Sequence, residues 1–315
     1  MKLETKQEIV AALEEYLAQH PKLSANDIAK NTRVNSAYIS NMRQGNFTIN
    51  AGNGNMVDIA DKYFEAIAEE IGHSLVKSYW ETVPTAQMKR ILATLEDAKE
   101  FGYTNVVIGE TGSGKTFVSN MFARMFPSDC FMVKVGSQDK IGDLLEKVCD
   151  RLHLPTEKTK SRTLQAIIRK MKTMKADGHK PMIIFDEAEY MQLPALCGMK
   201  ELYDDLNGIA GVVLIGTDQL NDKLDKLRKK NKPGIPQLYR RIKFGIRILP
   251  SIDRSFKQFL NGITSDVKVI AFLREHCDNY GELHDVLVPA LREADRSGEP
   301  LTENLIRTML NMPNL

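Results

Sequence analysis

The sequence predicts an α/β protein: a doubly wound, parallel five-stranded sheet with a small helical lid and a separate all-α N-terminal domain. Three observations predict it. Five short β-branched runs alternate with helical patterns in the middle of the chain, a glycine-rich loop joins the first run to a helix, and both flanks carry helical periodicity alone.

Residues 1–72 read as short helices over Glu8–His20, Ser24–Thr32, Ser36–Gln44 and Asn55–Ile71, broken by His20-Pro21, by Arg33-Val34-Asn35 and by the Gly/Asn-rich stretch Gly45–Asn55. Within them, Asp27-Ile28-Ala29, Val34 and Ser36–Ser40 have helix-turn-helix spacing, although the turn lacks its usual glycine. If this unit meets DNA, Asn35, Ser36, Tyr38, Asn41 and Arg43 face the groove; the alternative is a helical assembly module. A connector follows over 73–101, with a helix pattern from Thr85 to Lys99. The core, 102–250, holds the strand candidates Asn105–Ile108, Phe131–Val135, Met182–Asp186, Val212–Gly216 and Ile246–Leu249, each apolar throughout, as strands covered on both faces are. After Pro250 no such run recurs, and Arg254–Asn261, Val267–Asp278, Leu283–Asp295 and Glu303–Asn311 read as helices of a lid over 251–315.

Bulk composition excludes more than it selects. Lys and Arg total 43 against 41 Asp and Glu, a net charge of +2, so any polyanion surface must come from local clustering. Cys130, Cys149, Cys197 and Cys277 form no Cys-x-x-Cys pair, which argues against a zinc knuckle or disulfide framework and for thiols in a reducing compartment. His276-Cys277 alone cannot close a tetrahedral metal site. There is neither a leader-like N-terminus nor an apolar stretch long enough to cross a bilayer, and the expectation is a cytoplasmic protein.

The chemistry is concentrated at two strand ends. Gly109-Glu110-Thr111-Gly112-Ser113-Gly114-Lys115-Thr116 follows the first strand and opens a helix, the context in which backbone N–H groups cradle nucleotide phosphates. Lys115 would reach the β- and γ-phosphates of ATP and Thr116 would ligate Mg2+. Asp186 and Glu187 end the third strand at the carboxyl edge, where ligands of open α/β sheets bind. Asp186 would hold the magnesium shell and Glu187 would orient and deprotonate the attacking water. Thr217, at the end of the fourth strand, either senses the γ-phosphate or the water, or caps the next helix. Arg240-Arg241, before the fifth strand, could neutralise the transferred phosphoryl in a neighbouring subunit.

This ordered set resembles the AAA+ ATPases of the initiator and loader type, and within them the target-DNA-capture ATPases of Mu-like phage transposition. The resemblance spans nearly the whole chain, including Tyr79-Trp80-Glu81-Thr82 in the connector; its motifs are strong in the core and weak elsewhere. It implies nucleotide contacts at Gly112, Gly114, Lys115 and Thr116, catalytic roles for Glu187 and Thr217, an arginine finger at Arg241, and DNA contact at Lys158 and Lys160. The family's lid arginine is replaced, since this chain reads Gly281-Glu282-Leu283-His284.

Positive charge gathers in two core segments. Residues 157–180 include Lys158, Lys160, Arg162, Arg169 and Lys170, and residues 222–247 include Lys223, Arg228, Arg240, Arg241 and Arg247. Repeated once per subunit in a ring or helical filament, such segments would track the backbone of double-stranded DNA without reading bases. The expectation is an ATP-dependent, homo-oligomeric, non-specific DNA binder that delivers target DNA to a transposase in a bacterial host cell. The alternatives are a helicase loader or replication initiator, and an ATP-switched transcriptional regulator.

Overall fold

The structure, a computed structural model, describes residues 1–21, 23–50, 56–73 and 79–313. Contacts divide the chain into two compact units, Met1–Trp80 and Glu81–Leu315.

The first unit contains α1 (Leu3–Gln19), α2 (Ala25–Thr32), α3 (Ser36–Arg43) and α4 (Asp61–Glu70) around a core of Ile9, Leu13, Ile28, Ile39, Met42, Phe64 and Ile67. Ser24 starts α2 through a reciprocal capping box with Asp27. Where a glycine was missed in the turn, Arg33 itself takes the left-handed conformation, at φ 56°. Two expectations are corrected here. The unit is not all-α, because β1 (Thr48–Asn50) and β2 (Met56–Asp58) pair antiparallel, and the last helix starts at Asp61 instead of Asn55. The ladder wins locally because Met56-Val57-Asp58 pairs in register with Thr48–Asn50, and Ile59 N–H extends the pairing by donating to the Phe47 carbonyl at 2.8 Å. Asn55 lies outside the described residues.

The second unit is a three-layer sandwich. Strands β3 (Thr104–Ile108), β4 (Cys130–Lys134), β5 (Met182–Asp186), β6 (Gly211–Gly216) and β7 (Ile246–Ile248) form one sheet in the order β4-β5-β6-β3-β7, and every pairing is parallel. All five fall on the runs expected from sequence. Alternation divides the strands between the two faces. Val106 and Ile108 enter the core shared with α7 (Ile141–Leu152), α8 (Lys160–Ala176), α9 (Leu193–Leu206), α10 (Asp218–Lys229) and α11 (Ile235–Ile242). Val107 enters the core shared with α5 (Ala86–Phe101) and α6 (Lys115–Met125). The helix expected in the connector is α5, capped by Thr85 and ended by left-handed Gly102; it lays Ile91, Leu95 and Ala98 on the sheet. The lid comprises α12 (Lys257–Leu260), α13 (Val267–His276), α14 (Tyr280–Ser297) and α15 (Glu303–Met309), close to the four helices expected.

Candidate active site

With β6 central, flanked by β5 and β3, and every strand parallel, the carboxyl ends of β3, β5 and β6 share one edge, and the sequence motifs converge there. The β3–α6 loop turns through Gly112 at φ 73° and Gly114 at φ 85°, a backbone that only glycine adopts freely and that lets successive N–H groups converge. Gly109 N–H donates to the Gly216 carbonyl at 3.1 Å, tying the tip of β3 to that of β6. Lys115, buried at the start of α6, turns its ammonium into its own loop and donates to the carbonyls of Gly109 (2.8 Å) and Glu110 (2.7 Å). Burial pulls its pKa down, against the supporting fields of Glu189 and then Asp186. Ser113 Oγ is buried without a partner. A buried cation on exchangeable carbonyls, an orphaned hydroxyl and left-handed glycines fit a polyphosphate.

Asp186 is 1% exposed and accepts a hydrogen bond from Thr116 Oγ1 at 2.7 Å, so the two expected magnesium ligands, distant in sequence, adjoin. An oxygen pair of this kind suits a hard divalent cation. Burial pushes the Asp186 carboxyl above its ordinary pKa, only partly offset by Thr116, the Glu187 N–H and Lys115. Glu187 follows at φ 55°, a left-handed conformation costing a non-glycine residue about 1 kcal/mol. Its carboxylate pairs with Lys134 Nζ at 2.9 Å, because the β4–β5 register sets Lys134 beside Asp186.

Thr217 begins α10 but makes no side-chain cap. Its hydroxyl lies 3.1 Å from Glu189 Oε1. Glu189 was missed in the sequence. It sits on the 3-10 turn Ala188–Tyr190, is 9% exposed, and leaves Oε2 buried without a partner. The available signal was a third acid three residues beyond Asp186, a spacing that one helical turn brings back to the same side.

Residues 102–224, which contain both strand ends, match the AAA domain family. The chain carries an AAA-type ATPase domain. It resembles the Mu-like prophage DNA transposition protein B of Haemophilus influenzae, 23% identical over 219 residues covering 69% of this chain and 71% of that protein. Among solved structures it shares its fold with the Aeropyrum pernix ORC2 protein in its ADP form (TM-score 0.51, 15% identity, 75% of this chain, 70% of that one). Pyrobaculum aerophilum Cdc6p is similar (TM-score 0.54, 11% identity, 74% and 68%). So is the Aeropyrum pernix ORC1 protein solved in complex with DNA (TM-score 0.53, 13% identity, 72% and 64%).

The C-terminal helices meet the glycine-rich loop of the AAA domain through Asn279 and Arg254. A Cβ on Gly112 would lie 2.1 Å from Asn279 Oδ1, so the start of α14 rests on the loop, and only glycine admits it. Glu110, within the same loop, pairs through its carboxylate with Arg254 Nη2 at 2.8 Å. Gln87 of α5 donates to the Ser251 carbonyl (2.8 Å) and accepts from Tyr280 OH (3.1 Å), joining the helix before the core to the hinge and the lid. His284 lies 2.9 Å from Asp285 Oδ1. His276 stacks on Phe272, and burial drives the Cys277 thiol up to about 11. Among the described residues no cluster of three metal-ligating side chains occurs, and no helix is long and apolar enough to cross a membrane.

Arg241 does not stand free for a neighbour. Its guanidinium binds Asp204 of its own chain, with Nη2 at 3.1 Å, and donates to the Gln237 carbonyl at 3.1 Å. Arg240 is exposed and has no ion pair among the described residues. Lys158, Lys160 and Arg162 stand exposed around the start of α8, likewise unpaired. Part of the second basic segment is bound internally: Lys223 reaches the carbonyls of Glu189 and Met191, Arg228 pairs with Asp225, and Arg247 donates to the Phe244 carbonyl, while Lys226, Lys229, Lys230 and Lys232 stand exposed with no ion pair among the described residues. In the first unit Asn35, Ser36 and Arg43 are the exposed members of the expected groove-facing set; Arg43 pairs with Glu14, and the half-buried Tyr38 packs edge-on to Tyr63.

Proposed function

We propose that this AAA+ ATPase binds double-stranded DNA without sequence preference, assembles along it when ATP is bound, and delivers it as target to a transposase. The contact between Thr116 and Asp186 carries the nucleotide part, because it joins the phosphate loop to the acidic strand tip. In this reading Gly109, Glu110, Thr111, Gly112, Ser113, Gly114 and Lys115 surround the phosphates. Thr116 and Asp186 hold Mg2+, which when bound screens the phosphate charge. Glu187 accepts a proton from the attacking water once it parts from Lys134. Residues 251–315 act as the lid, tethered through Glu110–Arg254.

The DNA part is supported by Lys158, Lys160 and Arg162. Three cations gather where the helix dipole disfavours positive charge, which is unfavourable for the fold alone and suited to a polyanion. The transposition relative supports the transposase as partner. Helix α11 supplies the arginine that completes a neighbour's site, and Arg240 fits that role better than the tethered Arg241. An initiator or helicase loader is the second reading, favoured by the fold shared with a protein solved on DNA.

DNA-stimulated ATP turnover, with electron microscopy of the protein on random duplex, tests the proposal. Wild type should form ATP-dependent filaments, Lys115→Ala should form none, and Glu187→Gln should form long-lived ones. Filaments of Lys115→Ala, or binding confined to one sequence, would refute it.

A further inference from the structure

The ATPase reading leaves one question at the tip of β6: whether the Thr217 hydroxyl meets a phosphate oxygen or the attacking water. The answer follows from where its proton goes. A hydroxyl has one hydrogen to donate and two lone pairs that accept. Thr217 Oγ1 lies 3.1 Å from Glu189 Oε1, and a carboxylate only accepts, so the hydrogen between them belongs to Thr217. We propose that Glu189 is a positioning residue that takes the only proton of Thr217 and leaves that hydroxyl to face the site as an acceptor. Phosphate oxygens have no proton to give it and the attacking water does, so Thr217 selects the water.

Several contacts hold Glu189 in this place. It lies on the short turn after β5, and Lys223 clamps that turn by binding the carbonyls of Glu189 and Met191. The carboxylate lies directly on Gly216, where a Cβ would come within 2.7 Å of Oε2. That second oxygen is buried with no partner among the described residues, so the group is held for something beyond satisfying itself. Gly216, against which the carboxylate rests, is bound through its carbonyl by Gly109 N–H at 3.1 Å, so Glu189 lies beside the strand tip that joins the glycine loop. Water held by Thr217 on one hydrogen and by Glu187 on the other would have its lone pair directed at phosphorus, the arrangement an in-line displacement needs.

The inference rests on the ATPase reading, and a double-mutant cycle separates the two. Steady-state turnover and binding of a non-hydrolysable fluorescent ATP analogue are measured on the full chain for wild type, Glu189→Gln, Thr217→Val and the double variant. The amide of Glu189→Gln can donate to Thr217 and return the hydroxyl proton to the site, so kcat should fall about tenfold to a hundredfold, with KM within about twofold. Thr217→Val should match it, the double variant should be no worse than Thr217→Val, and Thr217→Ser should restore turnover. Wild-type kcat in Glu189→Gln, or losses that multiply in the double variant, overturns the inference and leaves the ATPase reading standing. A wild-type protein that binds no ATP overturns both. If Glu189→Gln does not fold, Thr217→Val decides alone: a loss of analogue affinity of about tenfold or more would assign the hydroxyl to phosphate and sink the proposal.

Discussion

Asp186→Asn should make the metal-free protein more stable while destroying its activity. Asp186 is 1% exposed, and the structure offers its charge only the Thr116 hydroxyl, the Glu187 N–H and the displaced field of Lys115. Desolvation outweighs all three and raises the carboxyl pKa. A carboxyl raised in the folded state binds its proton more tightly there than in the unfolded chain. Its penalty is therefore absent below the ordinary value of 3.8, grows as pH rises through the folded pKa, and is complete above it. Asparagine removes the charge and keeps the bonds: its oxygen can accept from Glu187 N–H, and its amide can donate to a rotated Thr116 hydroxyl. The gain at neutral pH should be about 1 kcal/mol, as for other relieved functional sites. For a unit of this size that is about 2–4 °C in Tm. Calorimetry in chelator across about pH 4 to 8 measures it, following the transition of the ATPase unit. A variant that melts below wild type, or a gap that does not close on acidification, would refute the reasoning. ATP turnover should fall at least about a hundredfold, because the magnesium shell loses a charge.

Further outcomes follow from single contacts. Arg241→Ala should destabilise the ATPase unit by about 1 kcal/mol through loss of the Asp204 pair, whereas Arg240→Ala should leave urea midpoints unchanged and lower only the turnover that rises with protein concentration. Replacing Lys158, Lys160 and Arg162 together by Ala should weaken binding to any duplex and reduce the slope of log affinity against log salt by about 2–3, read by fluorescence anisotropy. Arg33→Gly should stabilise the N-terminal unit by up to about 1 kcal/mol, since only glycine takes this left-handed turn without strain; a lower melting point for that unit would mean that the Arg33 side chain makes a contact worth more than the strain. Gly112→Ala should disturb the lid by driving Asn279 off the loop, seen as faster proteolysis of residues 251–315.

The sheet and the phosphate loop were legible in the sequence because both are local in code. A fully buried parallel strand is a short apolar run, and a loop that must turn left-handed twice while approaching an anion needs glycine at fixed places. The place of Asp186 beside the loop was legible because parallel strands end at one edge, where ligands of open α/β sheets bind. The β1–β2 ladder was misread because residues 55–58 carry no period of their own and their pairing partner decides them. Gln87 and Asn279 could not be read for the same reason: each acts across a gap of many residues, on the Ser251 carbonyl and Tyr280 and on Gly112, and Glu189 offered only its spacing from Asp186, its contact with Thr217 being set by the fold. Charge by itself misled most. Arg241, Lys223, Arg228 and Arg247 looked available in one dimension, and the fold committed them to Asp204, Asp225 and backbone carbonyls, because each stands within reach of an acceptor that the packing supplies. Sequence determined which groups could do the chemistry; only the tertiary structure decided which of them were left free to do it.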